Sequence, residues 1–456
     1  MRRILAKDGV RKIEEPKVIR GLTSFQTIIL GFAGLILLGA LLLCLPIASR
    51  EGKATAFSDT LFTATSAACV TGLVVKDTAS YWSEFGQTII LILIQIGGMG
   101  VITFAAAIVM ISGRKIKLMQ RNTLKEAISA PRLGGVVRFA RFITLGTLVV
   151  EGIGVAIMAP VFCKKYGAIG LWKAFFTSIS AFCNAGFDLC GTKEAPFVSL
   201  VGFANNPVIV FTITTLILVG GIGFMTWADI KTHGRHMHKY SLQTKVVLMM
   251  TAILVVVPTL IMMYEDFQGE SLGKGFMHAY FQAVTPRTAG FNTVDLNSLS
   301  ASSKGLMVML MLIGGASGST AGGMKVATVA VLVANAIASF KRKDDAVMFN
   351  RRINNDVIKN ASTIFVMYLA LFLGAGIIIC SIEGLPISDC MFESASAIAT
   401  VGLTLGITTK LHMASRIILI CLMFIGRVGG LTLIYAALSR GDRKLSRFPE
   451  EHITVG

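Results

Sequence analysis

Residues 57 to 73 read FSDTLFTATSAACVTGL, and a segment of the same kind recurs three times further along the chain. The other copies are WKAFFTSISAFCNAGF (172 to 187), FMHAYFQAVTPRTAGF (276 to 291) and CMFESASAIATVGL (390 to 403). They align on Gly72, Gly186, Gly290 and Gly402, at spacings of 114, 104 and 112 residues. Since these spacings are close to a quarter of the 456 residues, the chain is predicted to be a fourfold internal repeat.

Two kinds of side chain keep their register in all four copies. An aromatic residue stands ten positions before each glycine, and these residues are Phe62, Phe176, Tyr280 and Phe392. A large apolar residue directly follows each glycine, and these residues are Leu73, Phe187, Phe291 and Leu403. Four copies in one register indicate a true repeat.

Long apolar runs make up most of the remaining sequence. Hydrophobic residues are 54% of the chain and charged residues only 15%, whereas a soluble domain averages about a quarter charged residues. A helix of about 20 residues crosses a ~30 Å hydrocarbon layer. Eight runs are long enough, at about residues 24 to 48, 84 to 111, 139 to 162, 206 to 230, 246 to 264, 304 to 339, 359 to 382 and 413 to 438. The composition therefore excludes a soluble globular protein and predicts a polytopic membrane protein.

The charges are distributed unevenly between the segments that connect these runs. If the N-terminus is cytoplasmic, 29 of the 43 Lys and Arg residues lie on the cytoplasmic side, which carries +18 against −1 outside. This asymmetry is the positive-inside rule, and it predicts that both termini are cytoplasmic. The formal net charge of +18 is thus mainly a topology signal, and nucleic acid is not expected as a partner.

The repeated segments are too short to span a membrane. A loop at membrane depth is tolerated only where it is buried in protein or lines a water-filled cavity. Each repeat is therefore predicted to be a span, a re-entrant half-helix, an extended glycine loop and a second span. The predicted fold class is an all-α polytopic membrane protein with four pseudo-symmetric repeats around a central ion pore.

The expected boundaries follow from these units. The four repeats cover residues 24–111, 139–230, 246–340 and 359–439. The cytoplasmic segments are 1–23, 112–138, 231–245, 341–358 and 440–456.

Four glycine loops around one axis would direct half-helix C-termini and backbone carbonyl groups at a single site. Carbonyl oxygens and the negative ends of helix dipoles favour a dehydrated cation. Glycine allows backbone angles that let successive carbonyls face the axis. The predicted ion-binding residues of these filter loops are Val70, Thr71, Gly72, Asn184, Ala185, Gly186, Thr288, Ala289, Gly290, Thr400, Val401 and Gly402.

With these four motifs, the chain resembles the membrane subunits of the Trk/Ktr/HKT superfamily of potassium transporters over essentially its whole length. Trk-type subunits have two extra spans before the first repeat, whereas this chain enters that repeat after about 23 residues, so it is most similar to the Ktr type (KtrB). The resemblance implies K⁺ uptake across a bacterial cytoplasmic membrane through one pore per chain. It also implies a homodimer, with the tail 448–456 at its interface, and control by a cytoplasmic nucleotide-binding RCK ring (KtrA-like). A serine in place of the first filter glycine goes with Na⁺ permeation in some plant members, so Gly72 implies K⁺ selectivity.

The second span of the third repeat contains a run of small residues, here called the gate segment. Five glycines in twelve residues cannot hold a stable helix, since each costs about 1 kcal/mol relative to alanine. The resemblance implies the gating loop of the family, and close helix packing through small residues is the alternative. The predicted gate residues are Gly314, Gly315, Ala316, Ser317, Gly318, Ser319, Thr320, Ala321, Gly322, Gly323 and Lys325, together with Arg427.

Arg427 stands where the other repeats have the second glycine of a pair. It lies 25 residues after Gly402, well inside the membrane, where a charge usually faces a cavity or a partner. Two interpretations remain open. Arg427 is either an electrostatic barrier below the filter loops, or a structural pair with a carbonyl or a carboxylate such as Glu151.

Regulation and cofactors follow from what the sequence lacks. It contains no G-x-G-x-x-G motif, so nucleotide control requires a separate chain. The basic loops 114–141, 231–245 and 341–359 are the expected docking surface, and contact with lipid headgroups is an equally ordinary use of them. No cofactor is expected in this chain. K⁺ is the expected permeant ion, and activation by or coupling to Na⁺ is left open.

Two other functional classes are less favoured. The strong charges at membrane depth, Glu151, Lys325 and Arg427, lie in separate repeats and form no shared acid/base centre, so an enzyme is not expected. An alternating-access secondary cation transporter is the alternative function. Such transporters usually have inverted repeats, whereas these four all start on the same side of the membrane.

Charged residues near the filter loops supply two further expectations. Seven acids on the outer side could concentrate cations there. They are Asp59, Asp77, Glu84, Asp188, Asp295, Asp389 and Glu393. Arg287, just before the third filter loop, is expected to pair with a nearby acid.

Overall fold

The computed structural model describes residues 23–101, 103–106, 123–126, 135–430, 432 and 451. Predictions for residues 1–22, 102, 107–122, 127–134, 431, 433–450 and 452–456 lie outside this part of the chain. They include the N-terminal segment, most of the first basic loop and the C-terminal tail.

Each repeat consists of a long helix, a short helix and a second apolar helix. The first repeat has α1 (Ser24–Leu43), α2 (Phe57–Ala68), the one-turn α3 (Thr78–Tyr81) and α4 (Glu84–Met99). The second repeat has α5 (Val136–Tyr166), α6 (Ile169–Phe182), α7 (Pro207–Gly221) and α8 (Phe224–His233). The third repeat has α9 (Leu242–Glu265), α10 (Leu272–Val284), α11 (Ala301–Leu312) and α12 (Val326–Phe340). The fourth repeat has α13 (Asn355–Glu383), α14 (Ile387–Ile398) and α15 (Met413–Val428).

A small antiparallel hairpin connects the third repeat to the fourth. Its strands are β1 (Val347–Met348) and β2 (Arg351–Arg352), with Val347 opposite Arg352. The rest of the described structure is helical or irregular, as the predicted all-α fold requires.

Side-chain caps start three of the four long helices. Thr23 and Gln26 form a reciprocal capping box at α1. Ser241 accepts from the Thr244 amide at 3.3 Å at the start of α9, and Asn354 accepts from the Asp356 amide at 3.1 Å at the start of α13. These caps satisfy amide groups that have no partner within the helix, which is important where lipid offers none.

The second apolar helix of every repeat is interrupted near its glycine pair. The sequence predicted such an interruption only in the third repeat. Helices α4, α7 and α15 have 16, 15 and 16 residues, so the uninterrupted spans expected in repeats one, two and four are wrong. A glycine at φ 84 to 89° and ψ 134 to 145° lies at each break, at Gly100, Gly223 and Gly429. Residues with a side chain rarely adopt this backbone conformation, whereas glycine adopts it readily. Each helix therefore ends where a single glycine allows the chain to leave the helical conformation.

Four helices of the described chain are long and apolar enough to cross a membrane by themselves, namely α1, α5, α9 and α13. The pair α7 and α8, bent by 94°, is a fifth candidate span. Only 28 to 33% of the most apolar window of each long helix is buried, which is typical of helices that face lipid.

The core of the protein surrounds the filter loops. The large apolar residues that follow the four glycines are buried, and so are the repeat aromatics Phe62, Phe176 and Phe392. Tyr280 is only half-buried, and the centre of its ring lies 5.8 Å from the centre of the Phe211 ring. An ion pair of 2.9 Å between Arg416 on α15 and Asp59 on α2 joins the fourth repeat to the first.

Candidate functional site

The filter loops share one backbone conformation. The third residue of each loop has a positive φ, and the residues are Gly72 (97°), Gly186 (69°), Gly290 (80°) and Gly402 (91°). The first residue is also left-handed although it is never glycine, and these residues are Val70 (57°), Asn184 (60°), Thr288 (65°) and Thr400 (53°). Such a conformation costs about 1–3 kcal/mol per residue and persists only where its surroundings enforce it. The sequence has no signal for this feature.

The four filter loops meet in a closed ring, which we call the glycine ring. A Cβ atom built on Gly72 would lie 2.6 Å from the carbonyl oxygen of Ala185, and one built on Gly186 would lie 2.8 Å from that of Ala289. In the same way, Gly290 faces the carbonyl of Val401 and Gly402 faces that of Thr71. Each glycine therefore lies against the middle residue of the next loop, and only glycine fits at these four positions.

A serine in each of three short helices holds the filter backbone. The Ser66 carbonyl accepts from the Thr71 amide at 2.8 Å, and its hydroxyl accepts from the Gly72 amide at 3.0 Å. Ser396 makes the same two bonds to Val401 and Gly402, at 2.8 and 3.0 Å. These bonds engage the amide groups and leave the loop carbonyls free for other contacts.

The second repeat keeps the first of these bonds, from the Ala185 amide to the Ser180 carbonyl at 2.8 Å. The third repeat has Val284 at the serine position, and there the Thr285 hydroxyl donates to the Phe291 carbonyl at 2.6 Å. Sequence reasoning missed these residues. The available signal was a serine six positions before the glycine in three of the four repeats.

A cavity of about 140 Å³, here called the mouth cavity, lies on one side of the glycine ring and is lined by all four glycines. Of the seven acids expected there, Asp77 and Asp188 line it. Burial, and secondarily the nearby Asp77, raise the pKa of Asp188 to about 6.

Two of the other acids have structural partners instead. Asp59 pairs with Lys76 at 3.7 Å as well as with Arg416. Glu393 is fully buried and accepts from the hydroxyls of Thr404, at 2.8 Å, and Thr408. The acids of the mouth cavity are thus fewer than the sequence suggested.

The gate segment, residues 314–325, is irregular and is bonded to the second repeat. The Ala316 amide donates to the Gly221 carbonyl at 2.9 Å, and the Gly318 carbonyl accepts from the Phe224 amide at 2.8 Å. The Thr320 amide donates to the Gly220 carbonyl at 3.3 Å. The glycine pair of α7 therefore serves as a docking edge for this segment.

The gate segment also contacts the filter loops directly. The Thr320 hydroxyl donates to the carbonyl of Phe182 and lies 3.1 Å from Oδ1 of Asn184. A Cβ atom built on Gly323 would lie 2.9 Å from the Ala399 carbonyl, and one on Gly322 would meet the Thr400 side chain. The small residues thus allow the segment to lie against the loops without a gap.

Arg427 connects the gate segment to the first repeat. Its Nη2 atom donates to the Gly98 carbonyl at 3.0 Å and also to that of Gly97, and its Nη1 atom donates to the Thr320 carbonyl. Glu151 is not a partner, since it accepts instead from Nε2 of Gln95 at 3.3 Å. Arg427 therefore has the carbonyl partners of the structural interpretation.

A second cavity, of about 320 Å³, lies beneath the gate segment and is lined by part of it, including Ser317, Gly318 and Gly323. Arg427 and Lys325 both line this inner cavity. Lys325 Nζ donates to the Ala321 carbonyl at 2.8 Å. Arg427 thus also has the position that the barrier interpretation requires.

The expectation for Arg287 is wrong. Its side chain is 5% exposed and forms no ion pair with an acid of the described chain. The backbone carbonyl of Arg287 accepts from Nδ2 of Asn184 at 3.2 Å, so this residue contacts the second filter loop through its main chain.

A helical membrane protein in which four re-entrant loops close a ring between two cavities has the architecture of a cation transport protein. The chain belongs to the TrkH family of cation transport proteins, whose family model matches residues 14–442. This membership confirms the resemblance predicted from the filter loops, and the family consists of transport proteins rather than enzymes.

Relatives match over almost the full length. The chain is 38% identical to the potassium/sodium uptake protein NtpJ of Enterococcus hirae, over 97% of this chain and 100% of the relative. It is 36% identical to the Ktr system potassium uptake protein B of Bacillus subtilis, over 97% and 100% of the two chains. The crystal structure of the potassium transporter TrkH from Vibrio parahaemolyticus matches with a TM-score of 0.72 at 19% identity, over 92% of this chain and 85% of that one. The last match shows the shared fold.

Proposed function

We propose that this chain is the pore-forming subunit of a Ktr-type system for potassium uptake. The observation that carries the proposal is the glycine ring, in which Gly72, Gly186, Gly290 and Gly402 each lie against the middle carbonyl of the next loop. Relatives that match over nearly the whole length are named as potassium or potassium/sodium uptake proteins, and these names support K⁺ as the cargo.

The proposed selection mechanism uses the backbone of the filter loops. The C-termini of four short helices approach the ring, and their partial negative charges favour a cation. Serine contacts hold the loop amides against these helices, as at Gly72 and Gly402, so the carbonyl oxygens can replace the water around K⁺. The strained residues, such as Val70 and Thr400, hold the carbonyls in place before the ion arrives.

The proposed gate consists of the gate segment and Arg427. The segment lies between the filter loops and the inner cavity, and Arg427 ties it to the first repeat. An ion that leaves the ring toward the inner cavity meets both this segment and the charges of Arg427 and Lys325. Conduction then requires the segment to move.

The proposed assembly is a homodimer controlled by a cytoplasmic RCK-type ring. Relatives named as parts of a Ktr system support a multi-component transporter. The loop with the β1–β2 hairpin carries the exposed residue Arg351 and also Arg352, which pairs with Asp345 at 2.8 Å, and this loop would offer Arg351 to such a partner. In the proposed topology, which follows from the distribution of basic residues, both termini lie in the cytoplasm of a bacterial cell. The repeats have the boundaries given in the sequence analysis.

The decisive experiment is Rb⁺ flux into liposomes that contain this chain, measured with and without a Ktr regulatory ring and with Na⁺ as competitor. A pore predicts selective flux that Gly402→Ser abolishes or makes non-selective. Flux that appears only in exchange for internal K⁺ would indicate the alternating-access transporter instead. An absence of flux even with the regulatory ring would contradict the pore.

A further inference from the structure

A further cavity, of about 340 Å³, lies on the mouth side of the protein and is separate from the ion path. None of the four ring glycines lines it. Its walls come from the segment after α1, from the start of α6 and from the segment that follows the second filter loop, which contribute Arg50, Lys173 and Lys193 respectively. We call it the side cavity.

The side cavity is strongly basic. Arg50, Lys173 and Lys193 line it, and no acid does. None of the three forms an ion pair with a carboxylate of the described chain. Arg50 uses only its Nε atom internally, in a bond of 3.1 Å to the Trp82 carbonyl, so both terminal nitrogens of its guanidinium remain available. Three cations around one cavity, none of them in direct contact with a carboxylate of the described residues, favour an anionic ligand.

Two acids lie behind the wall of the side cavity and line the mouth cavity instead. Asp77 and Asp188 line the mouth cavity. Asp77 is also occupied by the Ser80 amide at 2.8 Å and the Phe197 amide at 2.9 Å. The protein thus separates its charges, with acids at the mouth where a cation enters and bases in the side cavity next to it.

Fixed polar groups form the floor of the side cavity. Trp172 donates from Nε1 to Oε1 of Gln87 at 2.9 Å, and Gln87 donates to the Trp82 carbonyl at 3.1 Å. Lys173 Nζ lies 3.9 Å from the centre of the Tyr166 ring. These contacts hold Trp172 and Lys173 in place, so the cavity is largely formed before a ligand binds.

One exposed apolar side chain lines the same cavity together with Trp172. It is Ile169, which is 46% exposed. Tryptophan with an exposed aliphatic residue beside a basic group is the pattern of the membrane–water interface. A free anion would need only the basic residues, whereas a lipid would use this apolar residue as well.

We propose that the side cavity binds the phosphate group of an anionic phospholipid from the leaflet on the mouth side, with the acyl chains leaving the cavity past Ile169. That leaflet is the outer one in the predicted topology. The Arg50 guanidinium pairs with two phosphate oxygens, and Lys173 and Lys193 contribute charge. The bound lipid bridges the segment before α2 to α6 and to the segment after the second filter loop, so it stabilises the second repeat next to the ring.

The test is native mass spectrometry of the full chain after exchange into mixed phosphatidylglycerol and phosphatidylcholine. The variant Arg50→Gln/Lys173→Gln/Lys193→Gln is compared with Lys274→Gln, which changes an exposed lysine at the start of the corresponding helix α10. Wild type and Lys274→Gln should retain phosphatidylglycerol preferentially, and the triple variant should retain about a hundredfold less. Equal retention by the triple variant and by Lys274→Gln would overturn the proposal.

Two further measurements separate the lipid from a free anion and from misfolding. Inorganic phosphate in excess should not displace the lipid, and displacement would assign the cavity to a small anion instead. The single variant Lys193→Gln changes only an exposed loop residue, and it should keep the wild-type melting temperature in phosphatidylcholine while it loses part of the phosphatidylglycerol retention. Unchanged retention in Lys193→Gln would count against the site.

Discussion

The guanidinium of Arg427 donates a hydrogen bond to the backbone carbonyl of Thr320, and this bond joins the fourth repeat to the gate segment. The same side chain donates to Gly98 of the first repeat at 3.0 Å. Arginine has five donors in a fixed planar arrangement, so one residue can tie two repeats to one segment. The Thr320 hydroxyl in turn contacts the second filter loop at Asn184 and the Phe182 carbonyl at the end of α6.

The variant Arg427→Gln should raise Rb⁺ flux through the chain in the absence of a regulatory partner. It removes hydrogen bonds from a charged donor, each worth about 1.5–3 kcal/mol, so we expect an increase of about tenfold or more. Arg416→Gln is the matched control, because Arg416 lies on the same helix but pairs with Asp59, which the predicted topology places on the outer side. Liposome flux that is the same in both variants would remove Arg427 from the gate.

Thr320→Val should have a smaller effect in the same direction. Valine keeps the shape of threonine and the backbone carbonyl that Arg427 uses, but it removes the hydroxyl contacts to Phe182 and Asn184. The loss of about 1 kcal/mol predicts a flux increase of about fivefold. Because both residues hold the same segment, the double variant with Arg427→Gln should be less than additive. Strict additivity of the two effects would mean that they act on separate steps.

Gly402→Ser should abolish discrimination between K⁺ and Na⁺. Gly402 and Gly406 both have a φ of 91°, but only Gly402 would drive its new Cβ into the neighbouring loop, at the Thr71 carbonyl. Gly406 has no atom within 4 Å of such a Cβ. Gly406→Ser therefore carries the same backbone strain without the collision and should keep a near-normal permeability ratio. If both variants lose selectivity equally, strain rather than the shape of the ring is the cause.

The sequence predicted the parts of this site that repeat, and it missed those that depend on contacts between repeats. Four aligned glycines located the filter loops, and the density of glycine located the gate segment. The left-handed Val70 gave no sequence signal, because valine normally avoids that conformation and only the surrounding protein enforces it. The partners of Arg427 lie 107 and 329 residues away along the chain, so no local pattern identifies them.

After α4, α7 and α15, a single glycine within an apolar run is enough to end the helix. Gly429 has a φ of 89°, with no neighbouring atom nearer than 3.8 Å to a built Cβ, so Gly429→Ala tests the backbone conformation alone. The variant should lower the melting temperature in lipid, because the conformation costs about 1–3 kcal/mol with a side chain. Gly374→Ala lies in open space within α13 and should leave stability unchanged or slightly raise it. A melting temperature that Gly429→Ala does not lower would mean that the helix can continue through the break.

Asp188 should make uptake depend on pH. It follows the second filter loop, outside the spanning helices, and burial raises its pKa from 3.8 to about 6. Above this pH the carboxylate places a negative charge in the mouth cavity, which concentrates K⁺, whereas below it the group is neutral. Rb⁺ flux at low external Rb⁺ should therefore fall as the pH decreases through about 6, and Asp188→Asn should flatten this profile. Asp295→Asn, which changes an acid that does not line the cavity, should keep the profile.

The raised pKa of Asp188 also predicts how this residue affects the stability of the folded protein. The folded protein binds the proton of Asp188 more tightly than the unfolded chain does, since the folded pKa of about 6 exceeds 3.8. The contribution of Asp188 to the free energy of unfolding is then fully present below pH 3.8, and it is lost as the pH rises through about 6. Asp188→Asn should thus melt at a higher temperature than wild type at neutral pH, and the difference should disappear in acid. A variant that melts below wild type at neutral pH would mean that the carboxylate is stabilised by its surroundings, and the pH dependence of uptake would then need another source.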